Sequence, residues 1–213
     1  MPVSPRFSTD CHRCERLHAF LQESRQKYPD YFCKPVPSFG PSDARLLVVG
    51  LAPGLHGANA TGRPFTGDYA GVLLYETLFR HGFASCSESL ARDDGLELTD
   101  CRITNAVRCV PTQNKPVADE INNCNPYLAQ ELDQVPDGGV VLALGQIAHK
   151  AVVRACSKRQ KEYPFGHGLQ AELDRGIRLV DSYHCSRYNT QTRRLTAAMF
   201  DSVFRDIRAM LGS

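Results

Sequence analysis

The sequence predicts an α/β fold built on a central four-stranded, mainly parallel sheet. Its 213 residues contain four short runs of aliphatic and β-branched residues. Segments with helical spacing of Leu, Val and Ala lie between the runs, and such alternation of strand and helix indicates parallel βαβ units. The runs are apolar almost throughout, which is typical of strands covered on both faces.

Each element follows from a local pattern. The four strands are RLLVVG at 45–50, RITNAV at 102–107, GVVLALG at 139–145 and IRLVDSY at 177–183. The helices are predicted over residues 71–81, 117–134 with a restart allowed at Pro126, 146–159 and 195–211. The last helix carries an apolar stripe, which we assign to the core: Phe200, Val203, Phe204, Ile207 and Met210.

Length and composition set the class of protein. A chain of 213 residues forms one domain more readily than two. Its 42% hydrophobic and 23% charged residues exclude a disordered, collagen-like or coiled-coil protein. The longest apolar stretch, residues 46–55, is interrupted by Gly and Pro and is shorter than the ~20 residues of a membrane span. Residues 1–10 lack a secretory pattern, so a cytoplasmic location is expected.

Charge is unevenly distributed along the chain. Residues 1–144 carry 13 basic and 17 acidic side chains, whereas residues 145–213 carry 12 and 6. A basic C-terminal third suits contact with a polyanion, and a solvated basic helix is the equally simple alternative.

The nine cysteines point to a metal centre, because an odd number of cysteines in a reducing compartment does not form a disulfide framework. Cys11 and Cys14 form a C-x2-C pair, and Cys109 and Cys124 follow after 94 residues with 14 residues between them. Four thiolates suit either zinc or an iron-sulfur cluster, and spacing alone leaves both open. The other five cysteines show no paired spacing.

Polar residues follow the strands where ligands bind in open parallel sheets, at the carboxyl ends. The first strand runs into GLAPGLHGAN (50–59) and then TGRPFTGD (61–68), whose backbone amides suit a carbonyl or phosphate. Asn105 lies near the end of the second strand, and the fourth ends in YHCSRYN (183–189). We expect these polar groups to converge.

These motifs resemble the uracil-DNA glycosylase superfamily, and within it the iron-sulfur-containing family 5, or type-5, enzymes. The resemblance covers most of the chain and rests on four segments in order: GLAPGLHGAN (50–59), GRPFTGD (62–68), TNAVRC (104–109) and HCSRYNTQT (184–192). It implies a three-layer α/β/α sandwich. It also implies that Cys11, Cys14, Cys109 and Cys124 hold a 4Fe-4S cluster, whose role would be structural.

The resemblance further implies excision of uracil from DNA, which requires the nucleotide to be flipped into a pocket. Phe65 is then expected to stack on the base, and Asn105 to read its Watson-Crick edge. His184 would donate a hydrogen bond to the uracil O2 as negative charge develops there. The turn formed by Ala52, Pro53 and Gly54 is expected to line the pocket. The alternatives are core packing for Phe65 and structural roles for the two polar residues.

Asp68 is the first candidate to orient the hydrolytic water. Many members of the superfamily place a polar residue directly after the first strand, where this chain has Leu51 and Ala52, and family 5 shares that absence. The rival role for Asp68 is to cap the helix that begins near Tyr69. A pocket without that polar group, and the resemblance itself, imply activity on deaminated purines such as hypoxanthine as well.

The predicted DNA contacts lie in the basic segment after His184. They are Ser186, Arg187, Tyr188, Asn189, Arg193 and Arg194, with a solvated basic loop as the alternative. The expected partner is uracil-containing, double-stranded DNA bound by a monomer. Two other functions remain open: a non-catalytic iron-sulfur DNA-binding module of the same fold, and a zinc-bound hydrolase of another N-glycosidic or nucleotide substrate.

Overall fold

A computed structural model describes residues 6–212 of the chain, so the first half of the N-terminal stretch inspected for a secretory pattern lies outside the described residues. Seven α-helices and five strands occur in that range, besides short 3-10 turns. In chain order they are α1 Glu15–Lys27, β1 Leu46–Gly50, α2 Ala58–Thr61, α3 Tyr69–Arg80, β2 Cys101–Asn105, α4 Ala118–Gln134, β3 Val140–Leu144, α5 Gln146–Ala155, β4 Gln170–Glu172, β5 Arg178–Ser182, α6 Arg187–Gln191 and α7 Ala197–Leu211.

The sheet has the order β2-β1-β3-β5-β4. The four predicted strands are all present, and each pairs in parallel with its neighbour. The prediction of four strands is wrong by one, because β4 adds a short antiparallel edge beside β5. This strand has the sequence Gln-Ala-Glu and is largely exposed, so no apolar pattern announces it.

Helices cover both faces of the sheet, which confirms the α/β/α arrangement. Side chains alternate along β1: Leu46 and Val48 pack with α3 and α7 on one face, and Leu47 and Val49 pack with α4 and α5 on the other. The apolar stripe of α7 is core as predicted, with Met210 only partly buried. Each layer buries one apolar face against the strands, which fixes the direction in which the strand ends point.

Several helices differ from the predictions. Helix α5 ends at Ala155 rather than at residue 159, and the short helices α2 and α6 were not predicted. Helix α4 continues through Pro126 without a restart, and the residues after the proline, Tyr127 and Leu128, are buried against the core. Helix α1 was not predicted, because it buries only three side chains and its sequence is mostly polar. It packs through Leu17 and Leu21 on the segment that follows β2. In the described part of the chain no helix is long and apolar enough to cross a membrane.

Candidate active site

The carboxyl ends of β1 and β2 bring Gly50, Phe65 and Asn105 together. Gly50 lies opposite Asn105 in the parallel register. A Cβ atom at Gly50 would lie 2.4 Å from Asn105 Oδ1 and 2.6 Å from the Phe65 ring, so the close approach requires glycine. Asn105 is 4% exposed, and its Oδ1 has no hydrogen-bond partner in the described part of the chain. A buried acceptor without a partner costs about 1–3 kcal/mol, and such a cost is typical of a group kept open for a ligand.

Phe65 is held in an unusual backbone conformation. Its φ of 56° lies in the left-handed region, which a bulky residue rarely adopts. A Cβ atom at Gly71 would lie 1.8 Å from the Phe65 carbonyl oxygen, so the first turn of α3 packs directly on this backbone. Backbone strain of this kind is concentrated at functional sites.

His184 follows β5 and faces Phe65. The centroids of the two rings are 6.1 Å apart and their planes differ by 26°. The Asn189 amide donates to the His184 carbonyl at 2.8 Å, and Gly145, at a φ of 93°, would place a Cβ only 3.4 Å from that of His184. Burial among protein atoms lowers the pKa of His184 to about 4, so the ring is neutral at physiological pH and keeps one N–H donor.

Asp68 is observed in one of the two roles considered for it, as the cap of helix α3, and its role with the hydrolytic water stays a prediction. As the residue before α3 it accepts a hydrogen bond from the Gly71 amide through Oδ1 at 2.9 Å. Its Oδ2 faces the Gly-rich turn after β1, where a Cβ at Gly57 would lie 2.8 Å from it. Burial raises the pKa of Asp68 above its ordinary value, although hydrogen bonds from the Gly71 and Ala70 amides oppose the shift.

Two cavities meet at His184. One has a volume of about 430 Å³ and the other about 510 Å³, and Leu51 and His184 line both. The smaller cavity is lined by the turn after β1, by the start of α3 and by the start of α6: Ala52, Pro53, Gly54, Asp68, Tyr69, Ala70, Ser186 and Arg187, together with Asn114. The larger one extends between the ends of β3 and β5 and includes Gly145, Gln146, Phe165, Tyr183, Asn189 and Arg194. The segments that follow β1, β3 and β5 therefore meet at these cavities, whereas Phe65 and Asn105, which lie against Gly50, line neither of them.

Asn114 is a site residue that sequence reasoning missed. It belongs to a 3-10 turn, Thr112–Asn114, in the stretch between Cys109 and Cys124. Asn114 is exposed and lines the cavity that Asp68 and His184 also line. The stretch bounded by the second cysteine pair thus contributes directly to the candidate active site, and the only local signal was its position after Asn105.

The basic segment after His184 is partly used for internal contacts. Ser186 caps α6, and Arg187 lies over the Tyr69 ring at 5.2 Å. Arg194 lies over the Tyr183 ring at 4.7 Å. Tyr188 is 72% exposed. Of the six predicted DNA contacts, Tyr188 and Arg193 line neither cavity, and Arg193 is exposed.

The four cysteines of the predicted cluster are neighbours. Burial raises the pKa of the Cys109 thiol, and the nearby Cys124, Cys11 and Cys14 raise it further. Burial raises the pKa of Cys124 to about 11, against a hydrogen bond from the Arg108 backbone amide. All nine cysteines are free. Within residues 6–212 no group of three or more His, Cys, Asp or Glu side chains is arranged to hold a single metal ion.

Polar and apolar groups surround these thiols. The Asn123 amide donates to Cys14 Sγ at 3.5 Å, and the Tyr127 hydroxyl is 3.5 Å from Cys11 Sγ. Cys109 and Cys124 are buried with an apolar cluster formed by Leu17, Leu21, Val107 and Val110. N–H donors to sulfur and an apolar shell are the surroundings in which protein thiolates bind iron-sulfur clusters.

Comparison with known proteins gives one consistent family. Residues 37–208 match the family described as the uracil DNA glycosylase superfamily. The chain is 44% identical over 209 residues to the type-5 uracil-DNA glycosylase of Thermus thermophilus, covering 96% of this chain and 95% of the other. It is 41% identical over 210 residues to the type-5 enzyme of Mycobacterium leprae, covering 95% and 92%. A type-4 uracil-DNA glycosylase of Archaeoglobus fulgidus is 32% identical over 208 residues, covering 95% and 88%.

Proposed function

The chain belongs to the uracil-DNA glycosylase superfamily, and on that ground we propose that it is a DNA repair glycosylase that hydrolyses the bond between uracil and deoxyribose and leaves an abasic site. The observation that carries the proposal is the buried, unpartnered Oδ1 of Asn105 beside the Phe65 ring and Gly50. A flipped pyrimidine brings both a flat face for the phenyl ring and a polar edge for the amide. Action on cellular DNA fits the cytoplasmic location expected from the sequence.

Base recognition falls to Phe65 and Asn105. The phenyl ring stacks on the uracil. It is 6% exposed and packs with the core on the α3 and α7 side of the sheet, with its edge against Gly50. The Asn105 side chain offers both an acceptor and donors, which suits the N3–H and O4 of uracil. Because burial separates the Asn105 side chain from water, only a base that hydrogen-bonds to its amide offsets the free energy lost on desolvation.

His184 stabilises the leaving group. As the glycosidic bond breaks, the base departs as an anion and charge develops at its O2 atom. The neutral imidazole donates a hydrogen bond from its N–H group to this O2 atom. The hydrogen bond from the Asn189 amide and the close approach of Gly145 fix the backbone that carries the ring before the substrate arrives, which is what electrostatic preorganisation requires.

Asp68 and Asn114 act on the water and the sugar. The Asp68 carboxylate orients the attacking water and stabilises the positive charge that develops on the deoxyribose. Asn114 lines the same cavity and has both donor and acceptor groups for that water. The raised pKa of Asp68 favours a role in proton transfer, since a more basic carboxylate accepts a proton more readily.

The segment 186–194 is the DNA-binding element. Exposed Tyr188 is suited to enter the duplex and fill the space that the flipped base leaves. Ser186, Arg187, Asn189, Arg193 and Arg194 are suited to contact the sugar-phosphate backbone. Such contacts give an affinity that falls with salt, because each neutralised phosphate releases counterions. We propose double-stranded DNA as the substrate and a single-domain monomer, residues 1–213, as the active unit.

We further propose that Cys11, Cys14, Cys109 and Cys124 hold a 4Fe-4S cluster. The shared neighbourhood of the four thiols, their N–H donors and their apolar shell support it. When bound, the cluster supplies a cross-link rather than electrons, since glycosidic hydrolysis transfers none. The four cysteines connect the start of α1, the end of β2 and helix α4, and thereby hold the stretch that carries Asn114.

Activity on hypoxanthine is the broadest part of the proposal. Leu51 and Ala52 leave the end of β1 apolar, and a cavity of about 430 Å³ exceeds what one pyrimidine ring fills. Single-turnover rates on matched duplexes that contain one uracil or one hypoxanthine test this breadth. Excision of both bases is the expected result, and excision of uracil alone would contradict the wider substrate range.

The main test is abasic-site formation on a duplex with one uracil, using protein purified without oxygen. The control is the double variant Asp68→Asn, His184→Ala. Cleavage by the wild type and not by the control is expected. Intact DNA binding without cleavage by the wild type would favour the non-catalytic module instead. Equal cleavage by both proteins would place the chemistry on other residues.

A further inference from the structure

The turn that carries Asn114 is strained. Gln113 and Asn114 are consecutive non-glycine residues, and both have a φ of 56°. The left-handed backbone conformation costs of order 1–3 kcal/mol at a residue that disfavours it, and it persists only when the surrounding structure fixes it. Two backbone hydrogen bonds close the turn, from Asn114 N to the Pro111 carbonyl and from Lys115 N to the Thr112 carbonyl, each at 3.1 Å. Apart from these two hydrogen bonds, the turn is held by a side chain from another element.

Arg16 of helix α1 is this side chain, and it donates hydrogen bonds to both ends of the turn. Its guanidinium donates to the Thr112 hydroxyl before the strained pair and to the Lys115 carbonyl, at 3.4 Å, after it. These two contacts bracket Gln113 and Asn114 from one side. One side chain from a distant part of the sequence therefore holds both ends of the turn.

A second contact fixes the orientation of the arginine. Its Nε and Nη2 atoms form a two-pronged ion pair with the Glu120 carboxylate, each at 2.7 Å. Glu120 is 3% exposed, and its Oε2 also accepts from the Val117 amide at 2.8 Å at the start of α4. A carboxylate anchored at a helix start gives the guanidinium a rigid platform, and a two-pronged pair leaves its other N–H groups aimed at the turn.

We propose that Arg16 is a positioning residue for the glycosylase reaction: it holds the Thr112–Asn114 turn so that the Asn114 side chain lies in the cavity of Asp68 and His184. This inference rests on the proposed function, in which Asn114 contacts the attacking water. It gives helix α1, which begins directly after Cys14, a role in the reaction. Arginine is required, because lysine has a single ammonium group that does not bridge Glu120 and both ends of the turn.

The test combines a structural and a kinetic readout. Hydrogen exchange of peptides that cover residues 111–117 is compared in the wild type, Arg16→Ala, Arg16→Lys and Arg25→Ala. Arg25 is a matched control, since it lies on the same helix and donates to a different loop, at the Cys33 carbonyl. Faster exchange in both Arg16 variants and unchanged exchange in the Arg25 variant are expected. Unchanged exchange in Arg16→Ala would overturn the proposal whether or not the protein is a glycosylase.

The kinetic arm is a double-mutant cycle with Asn114→Ala, using single-turnover rates and DNA affinity on the uracil duplex. We expect Arg16→Ala to lower the rate about 10-fold or more, as misplacement of a positioned group does. Arg16→Lys should be equally slow, and DNA affinity should stay within about twofold. In the Asn114→Ala background, Arg16→Ala should have almost no further effect. The proposal would be overturned if the rate losses of Arg16→Ala and Asn114→Ala multiplied in the double variant. It would also be overturned if Arg16→Lys had the wild-type rate. A wild type that forms no abasic sites would refute the proposed function itself.

Discussion

The His184 ring lies nearly parallel to the Phe65 ring, with 6.1 Å between their centroids and 26° between their planes. One residue follows β5 and the other lies in the turn region before α3, so two distant segments define the walls of one site. In the proposed function the histidine supplies a donor at the edge of the base and the phenylalanine supplies a flat face. The first prediction separates these contributions.

Phe65→Leu keeps an apolar side chain but removes the flat ring. We expect single-turnover excision of uracil to slow about 5–150-fold, since stacking on an aromatic ring is worth about 1–3 kcal/mol per base. The control is Phe79→Leu on α3, where the same substitution is made at a ring that is 49% exposed. An unchanged rate for Phe65→Leu, with normal folding, would leave Phe65 as core packing only.

The position of the Asp68 carboxylate is testable without changing Asp68. A Cβ added by Gly57→Ala would lie 2.7 Å from the Asp68 Cβ and 2.8 Å from its Oδ2, so the carboxylate has to move. A Cβ added by Gly54→Ala would lie 3.7 Å from the same oxygen, which is ordinary contact. We expect Gly57→Ala to lower the single-turnover rate by about 10²-fold and Gly54→Ala to change it little. Similar rates in the two alanine variants would argue against a role for that oxygen.

The pH dependence of the rate should come from Asp68. Its pKa is raised by burial, whereas the pKa of His184 is lowered to about 4, so His184 stays neutral from pH 5 upward. We expect the single-turnover rate to rise with pH through an ionisation above the ordinary Asp value of about 3.9 and then to level off. Asp68→Asn should remove this limb and lower the plateau by about 10²–10⁴-fold. A limb that persists in Asp68→Asn would assign the ionisation to another group.

The contribution of Asp68 to the free energy of unfolding should fall as pH rises, whereas the single-turnover rate should rise. Because the pKa of Asp68 is raised in the folded state, its ionisation destabilises the fold as pH rises from the unfolded pKa through the folded one. Asn also caps helices, so Asp68→Asn keeps that role while removing the buried charge. The melting temperature of the variant at pH 7 should therefore equal or exceed that of the wild type. A clear fall would show that the carboxylate is needed for the cap itself.

The strands and their polar ends could be predicted because their signals are local. Four apolar runs gave the parallel sheet, and Asn105 and His184 follow from their places at strand ends. Residues set by distant contacts could not be predicted. Asn114 reaches the cavity through a turn with two positive φ angles, supported by Arg16 from a part of the sequence about a hundred residues earlier. No periodicity or spacing reports such a contact.

A buried pair, His149 and Asp181, predicts a second pH effect. His149 Nδ1 is 2.7 Å from Asp181 Oδ1, and its Nε2 is 2.9 Å from the Tyr163 carbonyl oxygen. Both ring nitrogens thus face acceptors. Burial by itself lowers the pKa of His149, but the hydrogen bond and charge of Asp181 outweigh it, so the pKa is raised. The charged imidazolium therefore stabilises the fold below pH 6.5, and that contribution is lost as pH rises through the folded pKa.

Thermal unfolding across pH 5.5–9 tests the pair. We expect His149→Gln to cost about 1–3 kcal/mol at low pH, and the difference from the wild type to shrink as pH rises. His56→Gln is the control, since His56 is exposed and contacts the Tyr31 hydroxyl rather than a carboxylate. A difference that is constant with pH would mean that packing, and not the charge of the imidazolium, accounts for the loss.

The proposed cluster predicts a selective effect of cysteine substitution. Cys109 joins the end of β2 to the N-terminal cysteines across 94 intervening residues, so losing the cross-link frees a long loop. We expect Cys109→Ser to lose the visible absorbance and iron of the wild type and about 3 kcal/mol of stability, or roughly 6–12 °C in melting temperature. Cys156→Ser is the matched control, because Cys156 is a partly buried cysteine outside the four. Full iron content in Cys109→Ser, or equal losses in both variants, would contradict the assignment of the four ligands. A wild type that is colourless and contains zinc instead of iron would restore the single-ion alternative that the cysteine spacing left open.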